Sequence, residues 1–484
     1  MIGDDVFFAS VRDLGAMLRS GRVSAVELTE ACLARLETIG PRLGAVVTVT
    51  RERALAQAHR ANQELLAGKV RGPLHGIPYG AKDLLDTKGV ATTWGAEPLR
   101  GRVPDADATV VRRLEEAGAV LCAKLSMVEL AGGFGYGRAD ATFTGPGRTP
   151  WSPPHWSGGS SSGSAAAVAA GLVTFAIGSE TSGSILTPAA FCGVTGLRPT
   201  YGLVSRHGAM ALSFTLDKLG PLARSADDAA LVLSAIAGPD PADPTSGGAF
   251  AYREPARRGG PGHRFRVAVL RDATAGAHAD VKAAFDRAIG ALRDVADVED
   301  DVPFPDLPYR EAIGLIIDAE AAAALRDLVE SGQVARLRDP RDRTGGFAGL
   351  ATRAVDYIDA QRVRVRMQAE VDRLLSRYDA VAAPTRLQLA PPVDRDFDAP
   401  AAGASAAPPG PKPAGPRAPS TVPAGNLAGA PALAVPIGFG EGRLPVSMQL
   451  LARAASEATL VAIGDAYQRL TDWHRQRPPA PPAA

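Results

Sequence analysis

The sequence predicts one large α/β domain. Helix-like and strand-like patterns alternate at Ala108–Gly118 then Val120–Leu125, and again at Arg266–Leu270, Asp280–Val295 and Asp297–Val302. No linker divides the 484 residues into halves, and 46% hydrophobic with 22% charged residues suffices for a sizeable core. Residues 1–484 are therefore read as a single domain, with a motif-rich core at 70–237 and surface loops at 238–262 and 397–419.

Bulk properties exclude several function classes. A net charge of +1 gives no electrostatic reason for a nucleic-acid or membrane-surface partner. No run approaches about 18 apolar residues, so no spanning helix is expected. The acidic start MIGDDVFFAS lacks the apolar run of a signal peptide. Cys32, Cys122 and Cys192 are widely spaced, form no C-x-x-C or metal pattern, and fit a reduced, cytoplasmic setting as core residues. Neither a metal nor a cofactor is expected.

In order, helices are predicted at Ser10–Ser20, Ser24–Ile39 and Thr50–Ala67, each beginning on a hydroxyl N-cap. Leu74–Leu85 is the first strand candidate. Its Gly76, Pro78 and Gly80 suit a short strand with close backbone approach. Residues 126–151 are glycine-rich and irregular, a length of loop that is often functional. Short strands and turns fill Arg198–Pro221, and Ser225–Ile236 is helical. Further on come long helices at Tyr309–Ser331 and Thr352–Arg377, and strands at Tyr378–Pro384, Leu433–Ile437 and Val446–Leu451. A helix at Ser456–Leu470 closes the chain.

The chemistry concentrates in Trp156–Leu197, where two Ser/Gly clusters, Gly158–Ser164 and Thr181–Ser184, flank a small-residue segment, Ala165–Ala170. Neither cluster ends in the GK[ST] of a phosphate loop, and Ser162 and Ser184 lack G-x-S-x-G spacing. A reactive serine needs a base. None of His59, His75, His155, His207, His263, His278 and His474 lies in a nucleophile–base context, and a structural role is the simpler reading of His75 and His155. A lysine made neutral by burial can replace histidine. Lys82, after the small and apolar run Ile77–Ala81, is the best candidate, with pairing to Asp83 or Asp86 as the bland alternative.

Taken together, GIPYGAKD (Gly76–Asp83), GGSSSGSAAAVAAG (Gly158–Gly171), GSETSGSI (Gly178–Ile185), PAAFCGVTGLRPTYGLVSRHG (Pro188–Gly208), NLAGAPALAVPIG (Asn426–Gly438) and LPVSMQLLAR (Leu444–Arg453) resemble the amidase signature hydrolases. The resemblance implies a central mixed, twisted sheet flanked by helices, and a Ser–cis-Ser–Lys triad. Its lysine falls on Lys82, its bridging serine on Ser160 and its nucleophile on Ser184, 24 residues later (184 − 160). It also implies a cis peptide bond between Gly159 and Ser160, with an oxyanion held by the backbone N–H groups of Thr181, Ser182, Gly183 and Ser184. Ala165–Ala170 then reads as a helix packed tightly beneath the site.

Three positions depart from the commonest family form: Glu180 stands for Asp, Ser182 for Gly and Leu186 for Arg. The acid–base pair of that form is absent or rewired, and Glu180 can be read as satisfying nearby backbone donors. A stand-alone amidohydrolase of small or aromatic carboxamides, anilides or carbamates is the first functional expectation. The alternative is the A subunit of a glutamine-dependent tRNA amidotransferase, which carries Arg where this chain has Leu186. A homodimer is the default expectation for a soluble enzyme.

Overall fold

The computed structural model describes residues 2–252, 254, 264–397 and 417–479. Eleven strands form one mixed sheet: β1 Val46–Val49, β2 Pro78–Lys82, β3 Val120–Leu125, β4 Phe175–Glu180, β5 Thr195–Arg198, β6 Lys218–Ala223, β7 Phe265–Leu270, β8 Ala296–Val302, β9 Ala380–Pro384, β10 Ala432–Phe439 and β11 Pro445–Leu451. Their order is β1-β3-β2-β4-β6-β5-β10-β11-β9-β7-β8. The β3-β2-β4 and β9-β7-β8 groups are parallel inside, and the remaining pairings are antiparallel. The central strands β2 to β6 are buried on both faces and read as apolar or small-residue runs, as sheets covered by helices do.

The first two N-caps behave as expected. Ser10 Oγ accepts the Asp13 N–H at 3.1 Å, and Ser24 forms a reciprocal capping box with Glu27. Thr50 does not cap its helix. Its hydroxyl donates to the Leu121 carbonyl at 2.7 Å, tying the start of helix Arg51–Leu66 to β3. Three helices do not precede the first strand, because β1 comes between the second and third. Its four residues are an edge, half-buried and short, which leaves little pattern to read. The run Tyr309–Ser331 divides at Leu325 into helices Tyr309–Ala324 and Arg326–Glu330, and a further helix spans Pro340–Leu350.

Residues 238–252 are held to the body rather than free of it. Asp240 Oδ2 accepts from Thr109 and Ser205 hydroxyls at 2.6 Å each, and Phe250 stacks on Tyr252. Most of 253–263 and all of 398–416 lie outside the described residues. No helix among the described residues is long and apolar enough to cross a membrane.

The helix Ser162–Ala169 shows why small residues dominate beside the site. All eight of its residues are buried, and it packs on β2, β3, β4 and β6 and on helix Leu186–Cys192. A Cβ on Gly163 would sit 2.3 Å from the Ala45 carbonyl oxygen and 2.5 Å from the Ser126 nitrogen. Both are backbone atoms of a packed strand end and cannot swing aside. Gly163→Ala is expected to lower stability by about 1–3 kcal/mol through overpacking, read as a drop in thermal midpoint. An unchanged midpoint would show that the helix can shift.

Candidate active site

β2 delivers Lys82. The strand is parallel to both β3 and β4 and is buried throughout, so Lys82 ends it inside the protein with no exposed surface. The amine donates to Ser160 Oγ at 2.7 Å and to Ser179 Oγ at 2.9 Å. The bland alternative for this lysine does not hold. Asp83 faces Lys124 at 3.1 Å and takes the Thr93 N–H at 2.9 Å, while Asp86 pairs with Arg102 at 2.6 Å. Burial pulls the Lys82 amine down to about 7, against the opposing pull of Asp217 and Glu180. Near neutral pH a large fraction is therefore uncharged and able to accept a proton.

The Gly159–Ser160 bond is cis, as the resemblance implies. Gly159 lies where a side chain would strike Trp156 and Val128, each 2.8 Å from its ideal Cβ. The neighbouring Ser161 sits at the centre of a G-x-S-x-G run, Gly159–Gly163, yet serves the sheet. Its hydroxyl donates to the Ser179 carbonyl at 3.2 Å and accepts the Ser179 N–H at 3.3 Å. The Ser161 N–H in turn donates to the Ser184 carbonyl at 3.2 Å, which binds the two serine clusters together.

β4 leaves the sheet at Glu180 and turns through Thr181–Ser184 into helix Leu186–Cys192. Gly183 takes φ +96° in this turn, a conformation costly for any residue with a side chain. Among the described residues no acceptor takes the backbone N–H groups of Thr181, Ser182, Gly183 and Ser184. A row of free backbone donors beside a serine hydroxyl suits developing negative charge. Ser184 keeps 9% of its surface exposed, whereas Lys82 and Ser160 keep none; Lys82 is hydrogen-bonded to Ser160, and Ser184 is tied to that cluster through the Ser161 N–H on its carbonyl.

Glu180 explains how the turn is held. Its Oε2 accepts the N–H groups of Ile185 and Leu186 at 2.9 and 3.0 Å. Its Oε1 accepts from Arg198 and from Asn426, both at 2.9 Å. Burial alone would raise this carboxyl, but Arg198, Asn426 and Lys218 together hold it below the usual carboxylate range. The acid at 180 therefore has its basic partner in Arg198 on β5, while the helix start holds Leu186.

A cavity of about 220 Å³ adjoins the turn. Its lining combines Ser179, Thr181, Arg206, Asp217 and Asp243 with apolar groups, among them Ala131, Met210, Leu212 and Phe214. The glycine-rich 126–151 stretch contributes Ala131 and is pinned to helix Pro340–Leu350. Glu129 accepts the N–H groups of Arg338 and Asp339, and Asp342 accepts that of Phe134. Among the described residues no histidine hydrogen-bonds to Ser184. His75 faces Glu64, His155 faces Ser152, and His207 only borders the cavity.

Three residues escaped sequence reasoning: Ser179, Arg198 and Asp217. Ser179 carries a faint signal, since strand alternation puts it on the same face as Thr181. Arg198 and Asp217 act on residues 18 and 36 positions away through strand pairing, which no local pattern encodes.

A family model described as Amidase matches residues 27–461. The glutamyl-tRNA(Gln) amidotransferase A subunit of Chloroflexus aurantiacus is 40% identical over 96% of both chains. Among solved structures, the peptide amidase of Stenotrophomonas maltophilia is 34% identical with a TM-score of 0.82, covering 98% of each chain. The corresponding A subunit of Thermotoga maritima is 28% identical with a TM-score of 0.75, covering 98% of this chain and 97% of that one. A match of that extent means that this chain belongs to the amidase family, an enzyme of C–N bond hydrolysis.

Proposed function

We propose that the protein is a stand-alone serine amidohydrolase that cleaves small or aromatic carboxamides, anilides or carbamates through an acyl-enzyme on Ser184. The observation that carries this reading is the Lys82 amine, buried, drawn down to about 7 and 2.7 Å from Ser160. Ser184 Oγ attacks the carbonyl carbon as its proton passes through Ser160 to Lys82. The oxyanion takes hydrogen bonds from the N–H groups of Thr181–Ser184, each such donor contributing about 3 kcal/mol in the transition state. The C–N bond then breaks, and the leaving amine takes the proton back from Lys82 by way of Ser160. Water hydrolyses the acyl-enzyme by the same relay. A small-molecule substrate, no cofactor, no metal and a cytoplasmic, homodimeric enzyme complete the proposal.

A leucine at position 186, together with a cavity whose Arg206 is already engaged by the Phe214 carbonyl, Tyr201, Thr245 and Asp243, supports a substrate without a charged acid group. The test is turnover of amide, anilide and carbamate panels, with fluorophosphonate labelling. Wild type should turn over and label, and Ser184→Ala should do neither. No turnover by wild type, or undiminished turnover in the variant, sinks the reading.

A second reading rests on the curated relatives, at 40% identity along nearly the whole chain. It makes this protein an amidotransferase A subunit that releases ammonia from glutamine. A stable complex with B and C subunits, with glutaminase activity, would put it first.

A further inference from the structure

Asp217 lies just before β6, buried, and binds on two sides. Its Oδ1 accepts the Thr181 hydroxyl at 2.6 Å. Its Oδ2 accepts the N–H groups of Leu212 and Ser213 at 2.8 and 2.9 Å, and its own N–H donates to the Ser213 carbonyl at 3.0 Å. Thr181 opens the turn that carries the unfilled N–H donors, while Met210, Leu212 and Phe214 wall the cavity. One carboxylate therefore joins donor turn and cavity wall. The wall is anchored from behind as well. Glu320 on helix Tyr309–Ala324 accepts from Thr215 N–H at 3.0 Å and from Thr215 Oγ1 at 2.8 Å, and Arg364 donates to the Thr215 carbonyl at 2.9 Å. With the wall fixed, the Asp217–Thr181 bond ties the first residue of the donor turn directly to it, beside the hold of Glu180 on the turn's far end.

We propose that Asp217 is a positioning residue for the amidase reaction, holding Thr181 and the donor turn in register with the wall of the substrate cavity. This rests on the reading of Ser184 as nucleophile and of its turn as the oxyanion site. Asp217 acts on the transition state through Thr181, so its loss should reduce kcat more than it changes KM. A displaced donor turn costs about ten- to a hundredfold. The carboxylate has a second, electrostatic reach. Lys82 faces the hydroxyls of Ser160 and Ser179, and the carboxylates of Glu180 and Asp217 both favour its charged form. Neutralising Asp217 should thus move the acidic limb of the rate profile to lower pH, a shift that a purely structural contact would not produce.

The experiment measures kcat, KM and pH–rate profiles of full-length wild type, Asp217→Asn, Thr181→Val, Thr181→Ser and the Asp217→Asn/Thr181→Val double variant, on the best amide of the panel. Expected are a ten- to hundredfold fall in kcat for Asp217→Asn with an acid-shifted limb, a similar fall for Thr181→Val without the shift, and near-recovery in Thr181→Ser. The double variant should lose little beyond Asp217→Asn, because both changes remove one bond. Fully additive losses, or an Asp217→Asn protein with wild-type kcat and limb, overturn the assignment. If Asp217→Asn does not fold, the threonine pair decides: equal losses in Thr181→Val and Thr181→Ser overturn it, and rescue by serine supports it. Turnover surviving in Ser184→Ala is a different failure, that of the nucleophile reading itself.

Discussion

Replacing Lys82 by methionine, which keeps the length and apolar bulk of the side chain, should lower kcat about 10²–10⁴-fold while the protein stays folded. The fold should survive the change: two hydrogen bonds to buried serine hydroxyls are lost, at about 1–3 kcal/mol, but the cost of burying an amine is lost with them. The reaction loses its base. The sign of the pH dependence follows from the same burial. With the amine drawn down to about 7, the neutral, proton-accepting form is the minority below that value and dominates above it. In wild type, kcat/KM should therefore fall in acid with a single-proton limb near pH 7 and level off toward pH 9. Lys82→Met should leave a flat residual rate across that range. Stopped assays from pH 5 to 10.5 on both proteins are sufficient. A variant retaining more than a tenth of wild-type kcat, or a wild-type rate still climbing beyond pH 10, would remove lysine from the proposed mechanism.

The parts of this site that were legible in the sequence are those whose chemistry is local. Lys82 stands out because a charge ends an apolar run, whereas the Ser/Gly clusters alone read as turns, and only the resemblance singles out Ser160 and Ser184 among their serines. The helix Ser162–Ala169 follows from the same resemblance, and its alanines suit both helix formation and close packing. What could not be read depends on register. Ser179 meets Lys82 only because β2 and β4 lie side by side with Ala81 opposite Ile177, and Glu180 meets Lys218 only through the pairing of β4 with β6. A shift of one residue in either pairing would turn these side chains to the other face. Arg198 is the plainest case. In the stretch GVTGLRPT it reads as a charge at a turn, yet it is among the largest side chains wholly inside the protein. The helix Pro340–Leu350 was missed because its glycines and charges obscure a buried face, which packs Gly349 against Asp318 and Ala322 and Gly346 against Val329 and Phe134.

Arg198→Met should be the most destabilising single change near the site, at about 3–5 kcal/mol, because it leaves the Glu180 carboxylate buried with its cation gone. Both partners are wholly enclosed, and the bond between them is 2.9 Å. Arg198 also donates to the Ala430 carbonyl at 3.1 and 2.9 Å, so the same substitution loosens β5 from the segment leading into β10. The loss belongs to an uncompensated charge rather than to the net worth of the pair. Glu180→Gln/Arg198→Met should therefore be markedly more stable than Arg198→Met alone, a non-additivity that a double-mutant cycle in urea reads directly. Acid supplies an independent check. Glu180 is held below its ordinary range in the folded protein, so the stability drawn from Arg198 is fully present above about pH 4.5 and is lost as pH falls through the depressed folded value. Because burial raises the carboxyl once Arg198 is gone, the gap between wild type and Arg198→Met should be widest toward pH 8 and should narrow as pH falls and the variant's Glu180 takes up a proton, before wild type itself loses the pair in strong acid. Because Glu180 also takes the N–H groups of Ile185 and Leu186, directly after Ser184, the double variant should recover stability before it recovers kcat. A glutamine offers one acceptor oxygen where the carboxylate served four donors, and the helix start that orients the nucleophile competes for it. Equal recovery of stability and rate would mean that the ion pair holds the fold but has no part in aiming Ser184.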